Sequence, residues 1–198
     1  MIVFDVVSEE RLPGLLAADL DCGFDELLKA FQRRLYSFAL RLSCNPQDAE
    51  EITQDAFVRA YSALADFPPA RIRALALRPW LYTITLNVFR NRVRTRRPES
   101  RSLDVLTEED EGALPQADGD DRPEVAYATR ERRALLAARL MALPEHFRIA
   151  VVLRHIEGLA YGEIAALLEQ PEGTVKAHVH RGTLLLRDSL TPILSEVQ

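Results

Sequence analysis

The stretch that decides the fold is EIAALLEQPEGTVKAHVHRG, residues 163–182. Apolar residues recur at helical spacing on both sides of its central Pro-Glu-Gly, so the pattern predicts two short helices joined by a tight turn. The apolar residues expected to pack these helices together are Ile164, Ala165 and Leu168 in the first and Val175, Val179 and Leu186 in the second. This packing turns one side of the second helix outward, as in hairpins that present a helix to DNA.

Charge is distributed unevenly along the 198 residues, although the net charge is only −5. Residues 1–23 carry −4 and residues 99–124 carry −8, whereas residues 24–98 carry +6 and residues 125–198 carry +1. The stretch 99–124 also loses apolar periodicity and gains Pro and Gly, which predicts a flexible acidic linker. We therefore expect an N-terminal extension over 1–23, either a folded element or a loose tail, and two small domains over 24–98 and 125–198.

Helical spacing dominates both predicted domains, and strand signals are scarce, so we expect an all-α fold. In the first domain the pattern predicts a helix over Glu26–Leu42, a second opened by an Asn45 cap with Pro46 in its first turn, and a third opened by Pro79. Their inward residues are expected to include Leu27, Phe31, Leu35, Phe38, Leu42, Ala49, Ile52, Ala56, Ala60 and Leu64. In the second domain helices are expected at Tyr127–Met141, Pro144–Ile156, Tyr161–Leu168 and Pro171–Leu190.

The third helix of the first domain is a candidate nucleic-acid surface. Residues 78–98 carry six arginines and no acid, together with Trp80, Tyr82 and Phe89. Guanidinium groups neutralise phosphates, and aromatic faces can stack on unpaired bases. The alternative is a solvated helix end whose arginines complement the helix dipole, with the aromatic rings in the core.

Sequence signals for catalysis or metal binding are weak. No nucleophile elbow or Gly-rich phosphate loop is found. His178 and His180 are two residues apart and so point to different sides of a helix, which argues against a metal pair. No apolar run is long enough to span a membrane, and no signal peptide is recognised at the start. We expect a cytoplasmic, non-enzymatic protein without catalytic residues, metal or cofactor and without membrane insertion.

Three segments in this order resemble the extracytoplasmic-function branch of the bacterial sigma factors, the dissociable subunits that direct RNA polymerase to promoters. DAEEITQDAFVRAYSAL is similar to the family's helix that binds the polymerase clamp, and PWLYTITLNVFRNRVRTRR to its promoter-melting segment. LPEHFRIAVVLRHIEGLAYGEIAALLEQPEGTVKAHVHRG is similar to its reader of the upstream promoter element. The resemblance covers roughly residues 24–98 and 125–190.

The resemblance implies roles for particular residues. Those implied to bind polymerase, at the clamp coiled coil, are Glu51, Gln54, Asp55 and Arg59, on the helix face that also carries Asp48. Those implied to engage the melted strand of the downstream element, with the loop 67–78, are Trp80, Asn87, Arg90, Asn91 and Arg94. Those implied to contact the upstream element are Thr174, Lys176, Ala177, His180 and Arg181.

The function implied is that of an alternative sigma factor, which places promoter DNA for melting and initiation. Its implied partners are core RNA polymerase, through the clamp coiled coil and the flap, promoter DNA and an anti-sigma factor. Two alternatives stay open on the sequence: a free-standing helix-turn-helix regulator of duplex DNA, and a protein-interaction adaptor whose basic helix binds acidic partners.

The hairpin departs from the family pattern at three positions. Ala160 stands where the family has a capping Ser, Gly162 where it has an early Glu, and Glu169 where the turn commonly has Gly. A lost cap typically costs about 1 kcal/mol, and Glu tolerates a positive φ less well than Gly. We therefore expect weak binding of upstream DNA by the second domain alone.

Overall fold

A computed structural model of the chain describes residues 9–95 and 135–195, with side chains up to residue 190. All regular structure in these two ranges is helical, which confirms the all-α prediction. The chain divides into two units, residues 1–113 and 114–198. The predicted linker and the first residues of the helix expected from Tyr127 lie outside the described residues.

The first unit contains five helices in its described part. They are α1 (Leu12–Ala18), α2 (Leu20–Ser43), α3 (Pro46–Ala65), α4 (Pro69–Arg73) and α5 (Leu77–Thr95). α3 packs against both α2 and α5, and the inward residues predicted for α2 and α3 are all buried. The Asn45 side chain accepts a hydrogen bond from the Asp48 N–H at 2.9 Å, which confirms the predicted cap of α3.

The described part of the N-terminal extension is a folded element. α1 packs on α2 and α4, and its Leu12 and Leu16 are fully buried. The approach of α1 to α2 is close because Gly23 has no side chain: a Cβ there would lie 2.6 Å from the Leu16 nitrogen. The boundary predicted between residues 23 and 24 therefore falls inside α2.

In the first unit, two predicted helix starts were wrong in position. α2 begins at Leu20 rather than Glu26, because Asp19 caps it by accepting a hydrogen bond from the Cys22 N–H at 3.0 Å. α5 begins at Leu77, which leaves Pro79 within the first turn, where a backbone N–H is not needed. The predicted loop 67–78 also contains the short helix α4.

The second unit is built around the predicted hairpin. Its described helices are α6 (residues 135–141), α7 (Glu145–Val151, continued by a π-helical turn over Val152–Ile156), α8 (Tyr161–Leu168) and α9 (Glu172–Ser195). α8 has the predicted bounds, and Ile164, Leu168, Val175 and Val179 are buried as predicted. Ala165 and Leu186 are only half-buried, since α9 packs mainly on α7.

Both ends of α8 show the departures noted in the sequence. Ala160 has no side-chain acceptor for the first turn, but its N–H donates to Glu163 Oε2 at 2.7 Å, so half of a capping box is present. Glu169 ends α8 in the left-handed region with a φ of 54°. A residue with a Cβ is strained there, which is why glycine is favoured at this position.

Candidate functional site

The outer face of α3 carries the four residues predicted to bind polymerase. Gln54, Asp55 and Arg59 are exposed, and Glu51 is half-buried. Residues 51, 55 and 59 follow one another at single-turn spacing, so their side chains lie along one side of the helix. The structure thus brings these four together on one surface, as predicted.

An apolar groove beside this face was missed by the sequence analysis. It lies between α2 and α3 and is lined by Phe24, Leu28, Phe57, Val58, Tyr61 and Ser62. Val58 is 65% exposed, and the Tyr61 hydroxyl donates to Asp21 Oδ1 at 2.6 Å. The signal in the sequence is an apolar pair three residues apart, Val58 and Tyr61, that lies off the buried stripe of α3. We call these six residues the α2–α3 groove.

Trp80 is the aromatic residue of the basic segment that remains accessible. It is half-buried, with its ring centroid 6.2 Å from that of Phe67. The Arg71 guanidinium lies over the other ring, 3.6 Å from the Phe67 centroid. Tyr82 and Phe89 are buried, so for these two rings the alternative holds: they fill the core and do not stack on bases. The planes of Trp80 and Phe67 are tilted by 51° to each other, and Arg71 stacks on Phe67. These three residues, which we call the Trp80 cluster, are of the kind that can hold an unpaired base.

The polar side of α5 carries the other predicted contacts for the melted strand. Asn87, Arg90 and Arg94 are exposed, and Asn91 is half-buried and accepts a hydrogen bond from Arg94 at 3.1 Å. Spacings of three and four residues place all four on one helix face. The structure groups them as predicted, whereas Arg96 and Arg97 lie outside the described residues.

Arg92 does not belong to this face. Its Nε donates to Asp48 Oδ1 at 3.1 Å, and its Nη2 donates to Glu51 Oε2. Burial alone lowers the pKa of Arg92, but the hydrogen bonds to Glu51 and Asp48 outweigh it, so the net pKa is raised. Asp48 was predicted to be exposed on the helix face, yet the residue as a whole is only 7% exposed. It is buried because it holds this arginine between α3 and α5.

The exposed side of α9 carries the predicted upstream contacts. Lys176, Ala177, His180 and Arg181 are exposed, and Thr174 is half-buried. All five lie in the first half of α9, where a DNA-reading helix contacts base edges and phosphates. The Lys176 ammonium lies 2.5 Å from Glu172 Oε1 and 5.6 Å from the Tyr161 ring centroid. Tyr161 therefore helps to place the predicted DNA contact Lys176.

His178 faces the body of the second unit. Its ring lies 5.1 Å from that of His146 and 5.6 Å from that of Phe147. Its Nδ1 is buried and makes no hydrogen bond to any described residue. Burial, His146 and Arg181 together lower its pKa, because each disfavours the charged ring. His178 and His180 thus lie on different sides of α9, as expected from their spacing.

No helix within the described ranges is long and apolar enough to cross a membrane. In the same ranges, no three His, Cys, Asp or Glu side chains are grouped so that they could hold a metal ion.

Two family models match the chain in the order of its two units. The model for sigma-70 region 2 matches residues 27–99, and the model for sigma-70 region 4 matches residues 131–186. The first match contains the faces of α3 and α5, and the second contains the hairpin.

Curated proteins with similar sequences are sigma factors of RNA polymerase. The ECF RNA polymerase sigma factor SigE of Mycolicibacterium smegmatis is 39% identical over 87% of this chain, which spans 63% of the length of SigE. The ECF RNA polymerase sigma factor SigW of Bacillus subtilis is 30% identical, and the match covers 94% of this chain and 98% of SigW. The RNA polymerase sigma-H factor of Pseudomonas aeruginosa is 32% identical, with coverage of 87% and 89%.

Solved structures show the same fold. CnrH, in complex with the cytosolic domain of CnrY, matches with a TM-score of 0.62 and 24% identity over 93% of this chain and 97% of its own. The sigma factor RpoE of Bartonella quintana, in complex with the anti-sigma factor NepR, matches with a TM-score of 0.61 and 23% identity, covering 85% and 96%. These structures show the fold, and the sequence matches confirm the family resemblance: the chain belongs to the ECF family of RNA polymerase sigma factors.

Proposed function

We propose that this sigma factor binds core polymerase through α3, opens promoter DNA with α5 and the adjoining Trp80 cluster, and selects the upstream element with α9. The observation that carries the proposal is the separation of two surfaces within the first unit. The α3 face, with Glu51, Asp55 and the α2–α3 groove, is acidic and apolar, whereas the exposed face of α5 is basic. Such a division suits one protein partner and one nucleic-acid partner bound at the same time.

The polymerase contact is proposed to combine charge and apolar area. Glu51, Gln54, Asp55 and Arg59 supply the polar part, and the α2–α3 groove continues the same side of α3 with the exposed Val58. The clamp coiled coil is the proposed occupant of both, because one helical partner on α3 would cover them together. The flap is the proposed partner of the second unit.

The test of the polymerase contact is a charge reversal on α3. Glu51→Arg combined with Asp55→Arg is expected to lower the affinity for core polymerase by about tenfold or more, since reversed charges meet the partner's complementary ones. Asp66→Arg, an exposed reversal at the end of α3, is the control and should change little. A free-standing DNA regulator or an adaptor that never binds polymerase would show no loss in either variant.

The melted strand is proposed to bind along Asn87, Arg90, Asn91 and Arg94 with one base held at Trp80. Stacking on an aromatic ring is worth about 1–3 kcal/mol per base. Trp80→Ala should therefore slow promoter opening by about tenfold or more, whereas Trp80→Phe, which keeps an aromatic face, should open promoters at nearly the wild-type rate. Both variants should bind core polymerase normally.

Upstream selection is proposed to depend on Thr174, Lys176, Ala177, His180 and Arg181. Lys176→Gln and Arg181→Gln should each weaken use of promoters that depend on the upstream element, because each removes a cation near phosphates or base edges. Arg187→Gln is the matched control: Arg187 is exposed on α9 beyond these residues and pairs with Asp188.

Control by an anti-sigma factor is part of the proposal. The solved complex of RpoE with the anti-sigma factor NepR supports it, since that protein has the same fold. The chain is proposed to act in the cytoplasm, beside polymerase, and to perform no catalysis itself. Binding energy to unpaired bases supplies the free energy for melting.

A further inference from the structure

Arg92 lies on the side of α5 that faces α3, between the two proposed binding surfaces. Its side chain is 24% exposed, that of Asp48 is 11% exposed and that of Glu51 is 45% exposed. The guanidinium thus has one well-buried carboxylate partner and one that solvent and other molecules can reach.

Asp48 and Glu51 differ in whether another protein can reach their carboxylates. Asp48 is fixed in the first turn of α3, and its N–H is already bonded to the Asn45 cap. Glu51 lies one turn further along, on the face with Asp55 and Arg59. A cation from another protein can therefore compete with Arg92 for Glu51 but not readily for Asp48.

Arg92 is also adjacent in sequence to the proposed contacts with the melted strand. Asn91 precedes it, and Arg94 follows two residues later in the same last turn of α5. Arg90 and Arg94 point to the other side of the helix, so a freed Arg92 has to extend past the helix end at Thr95 to reach the strand. An arginine keeps its charge at any physiological pH, so an Arg92 that loses one carboxylate partner remains a cation able to bind phosphate.

We propose that Arg92 is a reserve contact for promoter DNA: Asp48 and Glu51 hold its guanidinium against α3 in the free chain, and engagement of Glu51 by a basic side chain of polymerase frees it for the backbone of the melted strand. This rests on the proposed polymerase role of Glu51. The exchange would make one DNA contact conditional on polymerase binding.

The first test measures binding of the free, full-length chain to single-stranded DNA of the promoter's non-template sequence at several salt concentrations. Glu51→Gln removes one carboxylate partner of Arg92. It is expected to raise the affinity about threefold or more and to steepen the plot of log affinity against log salt by about 0.7, the value for one added phosphate contact on a single strand. Glu50→Gln, an equal change of charge on the preceding residue of α3, should not steepen the slope.

The second measurement repeats Glu51→Gln in an Arg92→Gln background. The steeper slope should disappear there, because the freed cation is missing. In an Arg92→Lys background a steeper slope should persist, since lysine also binds phosphate. Thermal unfolding of each variant checks that the first unit stays folded. If Arg92→Gln unfolds, the Lys background decides: loss of the steeper slope with a cation still present would overturn the proposal.

Holoenzyme assays separate this proposal from the one on which it rests. With core polymerase, Arg92→Gln should bind core normally but open promoters more slowly, with a salt slope shallower by about 0.7. If Glu51→Gln binds core polymerase normally, the proposed polymerase role of Glu51 is wrong. The salt dependence of DNA binding by the free chain still tests whether loss of Glu51 releases Arg92. The reserve contact is contradicted if Glu51→Gln leaves the salt dependence of single-stranded DNA binding unchanged. It is also contradicted if Glu51→Gln steepens that dependence equally when residue 92 is Gln.

Discussion

Gly182 of α9 lies directly against Phe147 of α7. A Cβ added at Gly182 would lie 3.3 Å from the Phe147 carbonyl oxygen and 2.6 Å from Val151 Cγ2. Gly182→Ala is therefore expected to destabilise the second unit by about 1–3 kcal/mol through overpacking. This loss outweighs the gain of about 1 kcal/mol that alanine brings to a helix interior. Hydrogen exchange of the α7 and α9 amides measures it within the full chain.

Gly173 offers the matched control for this prediction. It also lies in α9, but among the described residues no atom outside its chain neighbours and the backbone of α9 lies within 4 Å of a Cβ placed there. Gly173→Ala should stabilise the same amides by up to about 1 kcal/mol. If the two substitutions change the exchange of these amides equally, the contact of α9 with α7 is not the cause of the destabilisation by Gly182→Ala.

Ala160→Ser should stabilise α8 by about 1 kcal/mol. The Glu163 side chain already accepts the Ala160 N–H, so a serine hydroxyl would complete the capping box by accepting the Glu163 N–H. Denaturant unfolding of the second unit measures the gain. In a Glu163→Ala background, Ala160→Ser should raise the free energy of unfolding by a smaller amount. An equally large increase in that background would contradict the reciprocal cap.

The stability of the second unit should depend on pH through His178. Its pKa is lowered from an ordinary value of 6.5 in the folded chain, mainly by burial and also by His146 and Arg181. The unfolded chain therefore binds a proton first as the pH falls, so the stability decreases below about pH 6.5 and levels off below the folded pKa. His178→Asn should flatten this slope, as measured by unfolding between pH 5 and about 7.5. An equally steep decrease in the variant would assign the slope to other groups.

The hairpin and the core were predictable from sequence because each rests on local periodicity. Leu27, Phe31 and Ile52 fall on helical stripes that only one packing can bury. The Asn45 cap was equally local, since a cap acts within one turn of its own helix. The start of α2 at Leu20 was missed because Asp19 caps a turn whose polar residues hide the apolar stripe.

The pairing of Arg92 with Asp48 and Glu51 could not be predicted in the same way. Arg92 is more than 40 positions from either carboxylate, and only the packing of α5 on α3 brings it to them. In the sequence, helical spacing puts Arg92 on a different side of α5 from Arg90 and Arg94, but it does not indicate an acidic partner for Arg92. The burial of Tyr82 and Phe89 likewise depends on which side of α5 meets α2 and α3.

Free sigma factor is expected to bind duplex promoter DNA weakly. The predicted second domain, residues 125–198, carries a net charge of only +1, and Lys176 is paired with Glu172. Few phosphate contacts give weak binding that is lost as salt rises. Titration of labelled upstream duplex should show micromolar or weaker affinity at physiological salt. Tight, salt-resistant binding by the free chain would mean that α9 binds upstream DNA strongly without polymerase.

Run-off transcription with core polymerase, this protein and a library of promoters tests the central claim most directly. Core polymerase alone should give no specific transcript, and adding the protein should give defined transcripts from a subset of the library. Glu51→Arg with Asp55→Arg should abolish those transcripts. Failure to initiate at any promoter, with the protein shown to be bound to core polymerase, would contradict the assignment as an initiating sigma factor.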